Sequence, residues 1–449
     1  MMPSGIEILK LLPKTNCGDC GQPTCLAFAM NIAAGKMELA ACPHVSEEAR
    51  AALAESSAPP IREVTIGTGP DKVTVGGETV LFRHEKTFFH KPGLAVLITD
   101  AMNDAEIDAR IAAFAAHRFD RVGLVLSAEL VAVQSTTGDT ERFAATAKKA
   151  AEKAAGVILM ADSPGVMEAG LSAVAAKRPL IYAAGRNNAD DMADLALKYQ
   201  CPLAVTAEDL AALAALVQRL TAKGVKDIVL DCRSPSMSAI LLNQTAVRRL
   251  ALKREKSLGY PTICFPARTA GGFLEEMLAA NLAVAKYAGI VVLSDIRGEG
   301  IFPLLISRLN IYTDPQRPMM TAQGLYPINN PKESSPLLVT SNFSLTYFIV
   351  SGEMEASRIP SWLLVLDTEG LSVLTAWAAG KFAGDLVAGL MKKTGIAEKL
   401  AEKRVVIPGY VAVISGELEE ELGDGWEVIV GPREAAHIPR FLRDMAGTA

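Results

Sequence analysis

The sequence predicts a multidomain α/β protein with a small cysteine-rich N-terminal domain, a central TIM (β/α)8 barrel and a C-terminal Rossmann- or flavodoxin-like sheet. Three observations support this prediction. Four of the seven cysteines fall within 26 residues near the N-terminus. Eight short apolar runs alternate with Ala-rich helical windows over the middle ~220 residues, which is the arithmetic of a TIM barrel. A further alternation of strand-like and helical segments follows a proline-rich stretch.

Composition and charge exclude several classes of protein. Half of the 449 residues are hydrophobic, and the net charge is −5. No block of five or six basic residues occurs, so a nucleic-acid partner is not expected. The N-terminus lacks the basic region of a secretory signal, and no uncharged apolar run reaches ~18 residues. We therefore expect a cytoplasmic protein without a membrane span.

The clustered cysteines follow the spacing C-x2-C-x4-C-x16-C. Thiolates bind soft metals, and Gly18 and Gly21 allow the backbone to turn tightly around an inorganic core. The spacing favours a [4Fe–4S] cluster. Structural zinc sites usually contain two C-x2-C pairs, whereas this sequence has one pair. Zinc and unliganded thiols remain the alternatives. The predicted cluster ligands are Cys17, Cys20, Cys25 and Cys42.

Proline- and glycine-rich stretches divide the chain into five segments. The first contains the cysteines and a predicted helix over 46–58. The segments are a cluster domain at 1–58, a β linker at 59–92, a barrel at 93–312, a second linker at 313–336 and an α/β domain at 337–449.

Eight strands are predicted for the barrel. They are 94–99, 121–126, 156–160, 179–183, 202–205, 227–230, 261–264 and 289–293. An open doubly wound sheet is the alternative, but such a sheet seldom needs eight units. Four aspartates lie at or just past strand ends, where we expect helix capping and loop solubility rather than catalysis. They are Asp100, Asp162, Asp231 and Asp295.

The C-terminal segment contains four predicted strands, at 337–341, 362–367, 404–407 and 426–430. Glycine- or hydroxyl-bearing loops follow each of them. Because ligands of open α/β sheets bind at the carboxyl ends of the strands, these four loops are the candidate binding surface.

Several long motifs resemble the large (gamma) subunit of the corrinoid/iron–sulfur protein of the reductive acetyl-CoA (Wood–Ljungdahl) pathway, a component of the acetyl-CoA decarbonylase/synthase complex. The resemblance spans the whole chain. The motifs are NCGDCGQPTCLAFAMNIAAGK, LFRHEKTFFH, YTDPQRP, VTSNFSLTYF, GLSVLTAWAAGKF, IPGYVAVISGELEE and GWEVIVGPREA, in that order. Several long matches in one order are more specific than a single cysteine motif.

The resemblance implies a methyltransferase-type protein that carries a methyl group on a cobamide. Cob(I)amide would accept the group from methyltetrahydrofolate through a separate methyltransferase and pass it to acetyl-CoA synthase. The cluster would re-reduce Co(II). Implied partners are a small subunit that completes a heterodimer, that methyltransferase, CO dehydrogenase/acetyl-CoA synthase and an electron donor such as ferredoxin.

The resemblance and the loop positions together give a set of candidate cobamide contacts. The set is Thr340, Asn342, Thr346, Gly370, Leu371, Ser372, Val373, Leu374, Thr375, Pro408, Gly409, Ala412, Gly431, Pro432, Arg433 and Ala435. Only His437 among the five histidines lies beyond residue 117, and it is not in a D-x-H-x-x-G loop. We therefore expect a base-off cobamide without a protein ligand to cobalt, and Thr375 is the candidate residue nearest its lower face.

Three other functions are consistent with parts of the sequence. The chain could be an iron–sulfur electron-transfer or activator protein without cobamide. It could be a pterin-dependent TIM-barrel methyltransferase with an accessory cluster, or a zinc-stabilised scaffold. Iron, cobalt and zinc contents would distinguish these hypotheses.

Overall fold

The computed structural model describes residues 5–34, 36–50, 59–121, 123–269, 271–314 and 318–447. The chain divides into two compact units. The first comprises Met1–His117 and Ser127–Tyr312, and the second comprises Arg118–Leu126 and Thr313–Ala449. Residues 47–50 are helical, whereas the rest of the helix predicted over 46–58 lies outside the described residues. Residues 315–317 of the predicted second linker also lie outside them.

The described part of the first unit begins with two short helices, Gly5–Leu11 (α1) and Cys25–Ala33 (α2). Helix α2 begins where the Thr24 side chain accepts a hydrogen bond from the Ala27 amide, as N-cap threonines do. The two helices pack through Ile8 and Phe28, each 1% exposed. This small core holds the cysteine-rich loop between them.

Strands follow from residue 64 onward. They are Val64–Ile66 (β1), Val73–Val75 (β2), Gly93–Thr99 (β3), Phe119–Arg121 (β4), Leu124–Leu126 (β5), Leu130–Gln134 (β6), Gly156–Met160 (β7), Leu180–Ala184 (β8), Leu203–Thr206 (β9), Ile228–Asp231 (β10), Ile263–Cys264 (β11) and Ile290–Leu293 (β12).

Eight of these strands form a nearly closed parallel barrel. The order around it is β10, β9, β8, β7, β6, β3, β12 and β11. A single parallel bridge between Leu230 and Thr262 joins the two ends of this sheet. The barrel interior is filled by buried aliphatic side chains such as Ala95, Leu130 and Ile158. The predicted barrel architecture is confirmed.

One predicted barrel strand is wrong. Among the described residues of 121–126, which exclude residue 122, none enters the barrel. Strands β4 and β5 instead form an antiparallel hairpin that belongs to the second unit. Gly123 turns between them with φ +73°, and Leu124 and Val125 are 43% and 51% exposed. The second barrel strand is β6, four of whose five residues are buried.

Helices cover the outside of the barrel. They are Asp104–Ala116 (α3), Thr140–Lys153 (α4), Pro164–Val174 (α5), Ala189–Tyr199 (α6), Leu210–Ala222 (α7), Met237–Leu252 (α8), Phe273–Ala285 (α9) and Gly298–Tyr312 (α10). Several begin at side-chain caps, including the capping box of Asn103 and Glu106 and the caps of Asp139 and Asp209. Short 3-10 turns occur at Leu39–Ala41, Ala175–Lys177, Lys256–Leu258 and Pro266–Arg268.

The segment predicted as a β linker at 59–92 has a structural role in the barrel. Strands β1 and β2 form an antiparallel hairpin whose Val64, Ile66, Val73 and Val75 are buried in the same core as the barrel interior. Alternate residues of a strand point to one face, so these four valine and isoleucine side chains enter the barrel together. The hairpin therefore closes one end of the barrel.

The second unit is built on a five-stranded sheet. Its strands are Gly324–Ile328 (β13), Leu337–Ser341 (β14), Ser361–Leu366 (β15), Arg404–Ile407 (β16) and Glu427–Val430 (β17). The order is β13, β15, β14, β16 and β17, with β13 antiparallel and the others parallel. Strand β13 lies within the predicted linker 313–336, and its Pro327 is tolerated because an edge strand needs fewer amide donors.

Helices cover both faces of this sheet. They are Ser344–Ser357 (α11), Val373–Ala378 (α12), Gly384–Thr394 (α13), Ile396–Lys399 (α14), Ser415–Leu422 (α15) and Ile438–Gly447 (α16), with 3-10 turns at Gly409–Ile414 and Ala435–His437. One core contains Leu337, Val339 and Phe382, and the opposite core contains Leu338 and Met354. The chain reverses direction of winding beside β14, so an opening forms at the carboxyl ends of β14 and β16.

Candidate cofactor sites

Two of the four clustered cysteines, Cys17 and Cys20, lie in a loop that the backbone bends sharply, whereas Cys25 begins α2 and Cys42 follows the 3-10 turn Leu39–Ala41. Gly18 and Gly21 have φ of +81° and +78°, a region that favours glycine, and the Gly21 amide donates to the Gly18 carbonyl at 2.8 Å. Asn16 Oδ1 accepts a hydrogen bond from the Cys25 amide at 2.8 Å. These contacts hold the loop against the start of α2.

Burial differs among the four thiols, all of which are free. Cys25 and Cys42 are 8% and 3% exposed and belong to one apolar cluster, against which half-buried Cys20 packs. Cys17 is exposed. Three thiols therefore share one small core with the fourth at its surface, an arrangement that fits a soft-metal or iron–sulfur group held at the edge of a fold.

Two polar side chains flank Cys17. Its Sγ and the ligand atoms of Asp19 and His44 all lie within 4.8 Å of one another. His44 Nε2 is 2.6 Å from Asp19 Oδ2, and hydrogen bonds from His44 and Cys17 lower the pKa of Asp19. Zinc accepts sulfur, nitrogen and oxygen donors of these kinds, so the alternative of a zinc site has a geometric basis here.

The second site is a cavity of about 310 Å³ at the carboxyl edge of the five-stranded sheet. It is lined by residues of β14, β16, α11 and the loops after β15, β16 and β17. The lining residues are Leu338, Val339, Thr340, Thr346, Ile349, Val350, Ser372, Val373, Leu374, Val406, Ile407, Pro408, Tyr410, Gly431, Pro432, Arg433, Ala435 and Ile438. Most are apolar, and Arg433 is the one charged side chain among them.

Ten of the sixteen candidate contacts line this cavity. They are Thr340, Thr346, Ser372, Val373, Leu374, Pro408, Gly431, Pro432, Arg433 and Ala435. The other six lie in the same loops without lining it: Asn342, Gly370, Leu371, Thr375, Gly409 and Ala412. The fold therefore brings together residues that are up to 95 positions apart in the sequence, between Thr340 and Ala435.

Asn342 has a supporting position rather than a lining one. It is 3% exposed, and its Oδ1 accepts hydrogen bonds from the Thr368 amide, the Thr368 hydroxyl and the Gly370 amide at 2.9–3.0 Å. Its Nδ2 donates to Asp367 at 2.8 Å. All the polar atoms of this side chain are used to fix the loop after β15, which carries cavity residues Ser372 to Leu374.

Gly409 permits two of the loops to touch. A Cβ atom at this position would lie 2.5 Å from the Gly431 carbonyl oxygen and 3.0 Å from the Arg433 nitrogen. The Gly409 amide donates to the Pro432 carbonyl at 3.1 Å. The loops after β16 and β17 therefore form one continuous wall of the cavity.

The sequence analysis missed Tyr410 and the apolar side chains of α11 that line the cavity. The Tyr410 hydroxyl donates to Glu434 Oε1 at 2.6 Å, a contact that raises the pKa of Tyr410 and ties the two loops at the cavity rim. Tyr410 lies inside the motif IPGYVAVISGELEE, so its place in a strand-end loop was a usable signal. Ile349 and Val350 gave no usable signal in the sequence, because they resemble any core residue of an amphipathic helix.

Comparison with known proteins decides the family. Residues 63–442 match the family described as "CO dehydrogenase/acetyl-CoA synthase delta subunit", and residues 12–44 match the family described as "Putative Fe-S cluster". The corrinoid/iron–sulfur protein large subunit of Moorella thermoacetica is 46% identical over 442 residues, which cover 98% of each chain. The chain belongs to the corrinoid/iron–sulfur protein large-subunit family.

Archaeal relatives support the same assignment. The acetyl-CoA decarbonylase/synthase complex subunits gamma of Methanopyrus kandleri and Methanothermobacter thermautotrophicus are 37% and 34% identical. The matches cover 98% and 99% of this chain and 97% and 100% of theirs. The resemblance found in the sequence motifs is therefore confirmed for this large-subunit family, over nearly the full chain.

Thr375, the residue expected nearest a cobalt, is exposed on α12. Its hydroxyl lies 3.0 Å from that of Ser372, the residue that precedes the helix. Ser372 and Leu374 line the cavity, so Thr375 lies beside its mouth without forming part of its wall.

The barrel aspartates of this family member include two buried side chains that are not helix caps. Asp231 accepts hydrogen bonds from Tyr182 at 2.5 Å and from Arg268 at 2.9 Å. Asp100 accepts several from residues 135–137, and these hold its pKa below the ordinary value although burial acts in the other direction. The expectation of capping was wrong for this pair, because both carboxylates join neighbouring strand ends.

None of the helices in the described part of the chain combines the length and the hydropathy needed to cross a bilayer.

Proposed function

We propose that this chain is a corrinoid methyl carrier. It accepts a methyl group that a separate methyltransferase takes from methyltetrahydrofolate, and it passes that group to acetyl-CoA synthase. A bound cobamide supplies the cobalt(I) nucleophile, and a [4Fe–4S] cluster supplies the electron that restores cobalt after accidental oxidation. The work of this chain's own residues is to bind and orient both groups and to leave the cobalt accessible.

The observation that carries the proposal is the convergence on one cavity of β14, α11 and the loops after β15, β16 and β17. Ligands of open α/β sheets bind outside the carboxyl ends of the strands, next to the point where the winding reverses. The cavity lies at this point, and ten residues selected from the sequence line it. The relative from Moorella thermoacetica, which is named for a corrinoid, supports the same cofactor class.

The lining residues fit a base-off cobamide. The cavity is about 310 Å³ and mostly apolar, which suits an aromatic base displaced from cobalt. Arg433 provides the charge that a phosphate of the nucleotide loop requires. The lining contains no histidine among the described residues, so none of them would offer an imidazole ligand to cobalt. Thr375 at the mouth has a hydroxyl too weak to act as a strong cobalt ligand.

The cysteine segment fits the second cofactor. The match of residues 12–44 supports an iron–sulfur group, and the soft thiolate donors of Cys17, Cys20, Cys25 and Cys42 suit a four-iron cluster. A small subunit, CO dehydrogenase/acetyl-CoA synthase and a ferredoxin-type electron donor complete the proposed set of partners. The relatives that are named as subunits of an acetyl-CoA decarbonylase/synthase complex support such an assembly.

An anaerobic spectroscopic titration tests this function. The full chain is mixed with a Co(II) cobamide, and electron paramagnetic resonance reports the axial ligand. We expect stoichiometric binding with no protein nitrogen on cobalt. Thr375→His should add nitrogen splitting and make Co(II) harder to reduce, because a strong axial donor stabilises Co(II).

Thr394→His is the matched control. Thr394 ends α13 at the amino edge of the sheet, where its hydroxyl bonds to the helix carbonyl of Leu390 at 2.9 Å. This variant should leave the cobalt spectrum unchanged. Absence of cobamide binding, or protein nitrogen coordination in the unsubstituted chain, would contradict the proposed function.

A further inference from the structure

Thr340 is the most deeply buried hydroxyl on the cavity wall. It is 1% exposed, whereas Thr346 and Ser372, which also line the cavity, are half-buried. Thr340 belongs to β14, where alternate side chains point to opposite faces. Leu338, Val339 and Thr340 all line the cavity, whereas Ser341, which points to the face opposite Thr340, does not.

The Thr340 hydroxyl has no hydrogen-bond partner among the described residues. Most buried hydroxyls in proteins are paired, because an unmet donor costs free energy. The neighbouring wall is formed by Leu338, Val406 and Ile438, which offer no polar side-chain atoms. A 120° step in χ1 moves the threonine hydroxyl to the place of the methyl group and the methyl group to that of the Cβ hydrogen, so a change of rotamer can present the hydroxyl to a ligand in the cavity.

The cavity chemistry therefore specifies one kind of occupant. An apolar wall selects a flat, uncharged ring system, and a single buried hydroxyl selects a ring with one hydrogen-bond acceptor near its edge. An unprotonated nitrogen of a heteroaromatic ring meets both conditions. A ring nitrogen that is released from a metal has a free lone pair. Burying that lone pair in an apolar cavity without a hydrogen-bond donor would cost free energy.

We propose that Thr340 determines which cobamides this chain prefers, by donating a hydrogen bond from Oγ1 to the free ring nitrogen of the displaced lower base. The proposal rests on the function proposed above and adds a selectivity to it. Thr340 affects the affinity for the cobamide and takes no part in the methyl transfer. The chain should prefer cobamides whose base contains an imidazole-type nitrogen over those with a phenolic base.

Equilibrium binding of three corrinoids to the full chain tests this. The probes are a benzimidazolyl cobamide, a phenolyl cobamide and cobinamide, which lacks the base. Thr340→Val keeps the shape of the side chain and removes the donor. It should weaken binding of the benzimidazolyl form about tenfold, equivalent to one net hydrogen bond, and leave the other two affinities unchanged. Thr340→Ser should retain the preference for the benzimidazolyl form.

Ser341→Ala is the matched control, because Ser341 is also buried without a described partner but lies on the opposite face. It should leave the ratio of the three affinities unchanged. An equal loss for all three corrinoids in Thr340→Val, no loss at all, or the same selective loss in Ser341→Ala would overturn the inference while leaving the proposed function intact. Failure of the unsubstituted chain to bind any of the three would instead refute the proposed function.

Discussion

At the scale of single residues, Asn342 shows how a buried side-chain amide fixes a loop beside the candidate cavity without lining that cavity. Its Oδ1 receives three hydrogen bonds from residues 368 and 370, and its Nδ2 reaches Asp367. The loop that it holds leads directly to Ser372, Val373 and Leu374 on the cavity wall. Asn342 is therefore a positioning residue for the loop that lines the candidate cofactor cavity.

Replacing Asn342 by Leu should lower the stability of the second unit by about 2–4 kcal/mol, since the buried amides of Thr368 and Gly370 lose their acceptor. Asn342→Asp keeps that acceptor but places a second carboxylate beside Asp367, so its loss should be smaller. Urea unfolding followed by tryptophan fluorescence measures both. Equal midpoints for the Leu variant and the unsubstituted chain would show that the loop does not depend on this side chain.

Individual residues were predictable where a local rule selects them. The cysteine spacing selected four candidate cluster ligands, and the strand-end rule together with the family resemblance selected ten residues that line the cavity. Tyr410 and Glu434 were missed as a pair because they are 24 positions apart in sequence and meet only when β16 and β17 lie side by side. Asn342 was selected as a contact, but its bonds to the neighbouring loop are a tertiary feature that spacing does not encode.

At the scale of elements, the hairpin β1–β2 illustrates what periodicity alone leaves open. The predicted β linker at 59–92 does contain the strands β1 and β2, yet a strand pattern fits both a linker and an element that closes the barrel. The deciding fact is that Val64, Ile66, Val73 and Val75 are buried among the barrel's interior side chains. In the same way, residues 119–126 and 130–134 both contain apolar runs, and only burial distinguishes the exposed hairpin from the barrel strand.

Two glycines of this hairpin segment allow a test of how much the β1–β2 hairpin contributes to stability. A Cβ at Gly76, whose φ is +92°, would lie 2.1 Å from the Arg62 carbonyl oxygen. Gly69 has a φ of +79° but open space around it. Gly69→Ala should cost about 1 kcal/mol from backbone strain, whereas Gly76→Ala should cost about 3–4 kcal/mol because strain and steric clash combine.

Thermal unfolding of the two variants gives the comparison directly. The Gly69 variant serves as the control for left-handed backbone strain without a close contact. If both variants unfold at the same temperature, the close approach of Gly76 to residue 62 does not stabilise the hairpin.

At the scale of the whole molecule, the two candidate cofactor sites lie in different compact units. The cysteine cluster belongs to the first unit and the cavity to the second. Motifs spread along the chain allowed the family to be recognised from sequence, and the matches of residues 12–44 and 63–442 agree with it. The metal content of the protein tests whether the chain binds both proposed cofactors.

The most direct test is the metal content of the full chain isolated without oxygen and supplied with iron, sulfide and a cobamide. The proposed carrier should contain about four iron atoms with matching acid-labile sulfide and about one cobalt, with no zinc. Iron without cobalt would indicate an electron-transfer protein. Zinc in place of iron at the cysteine segment would contradict the account of the cluster, and absence of both iron and cobalt would contradict its central claim.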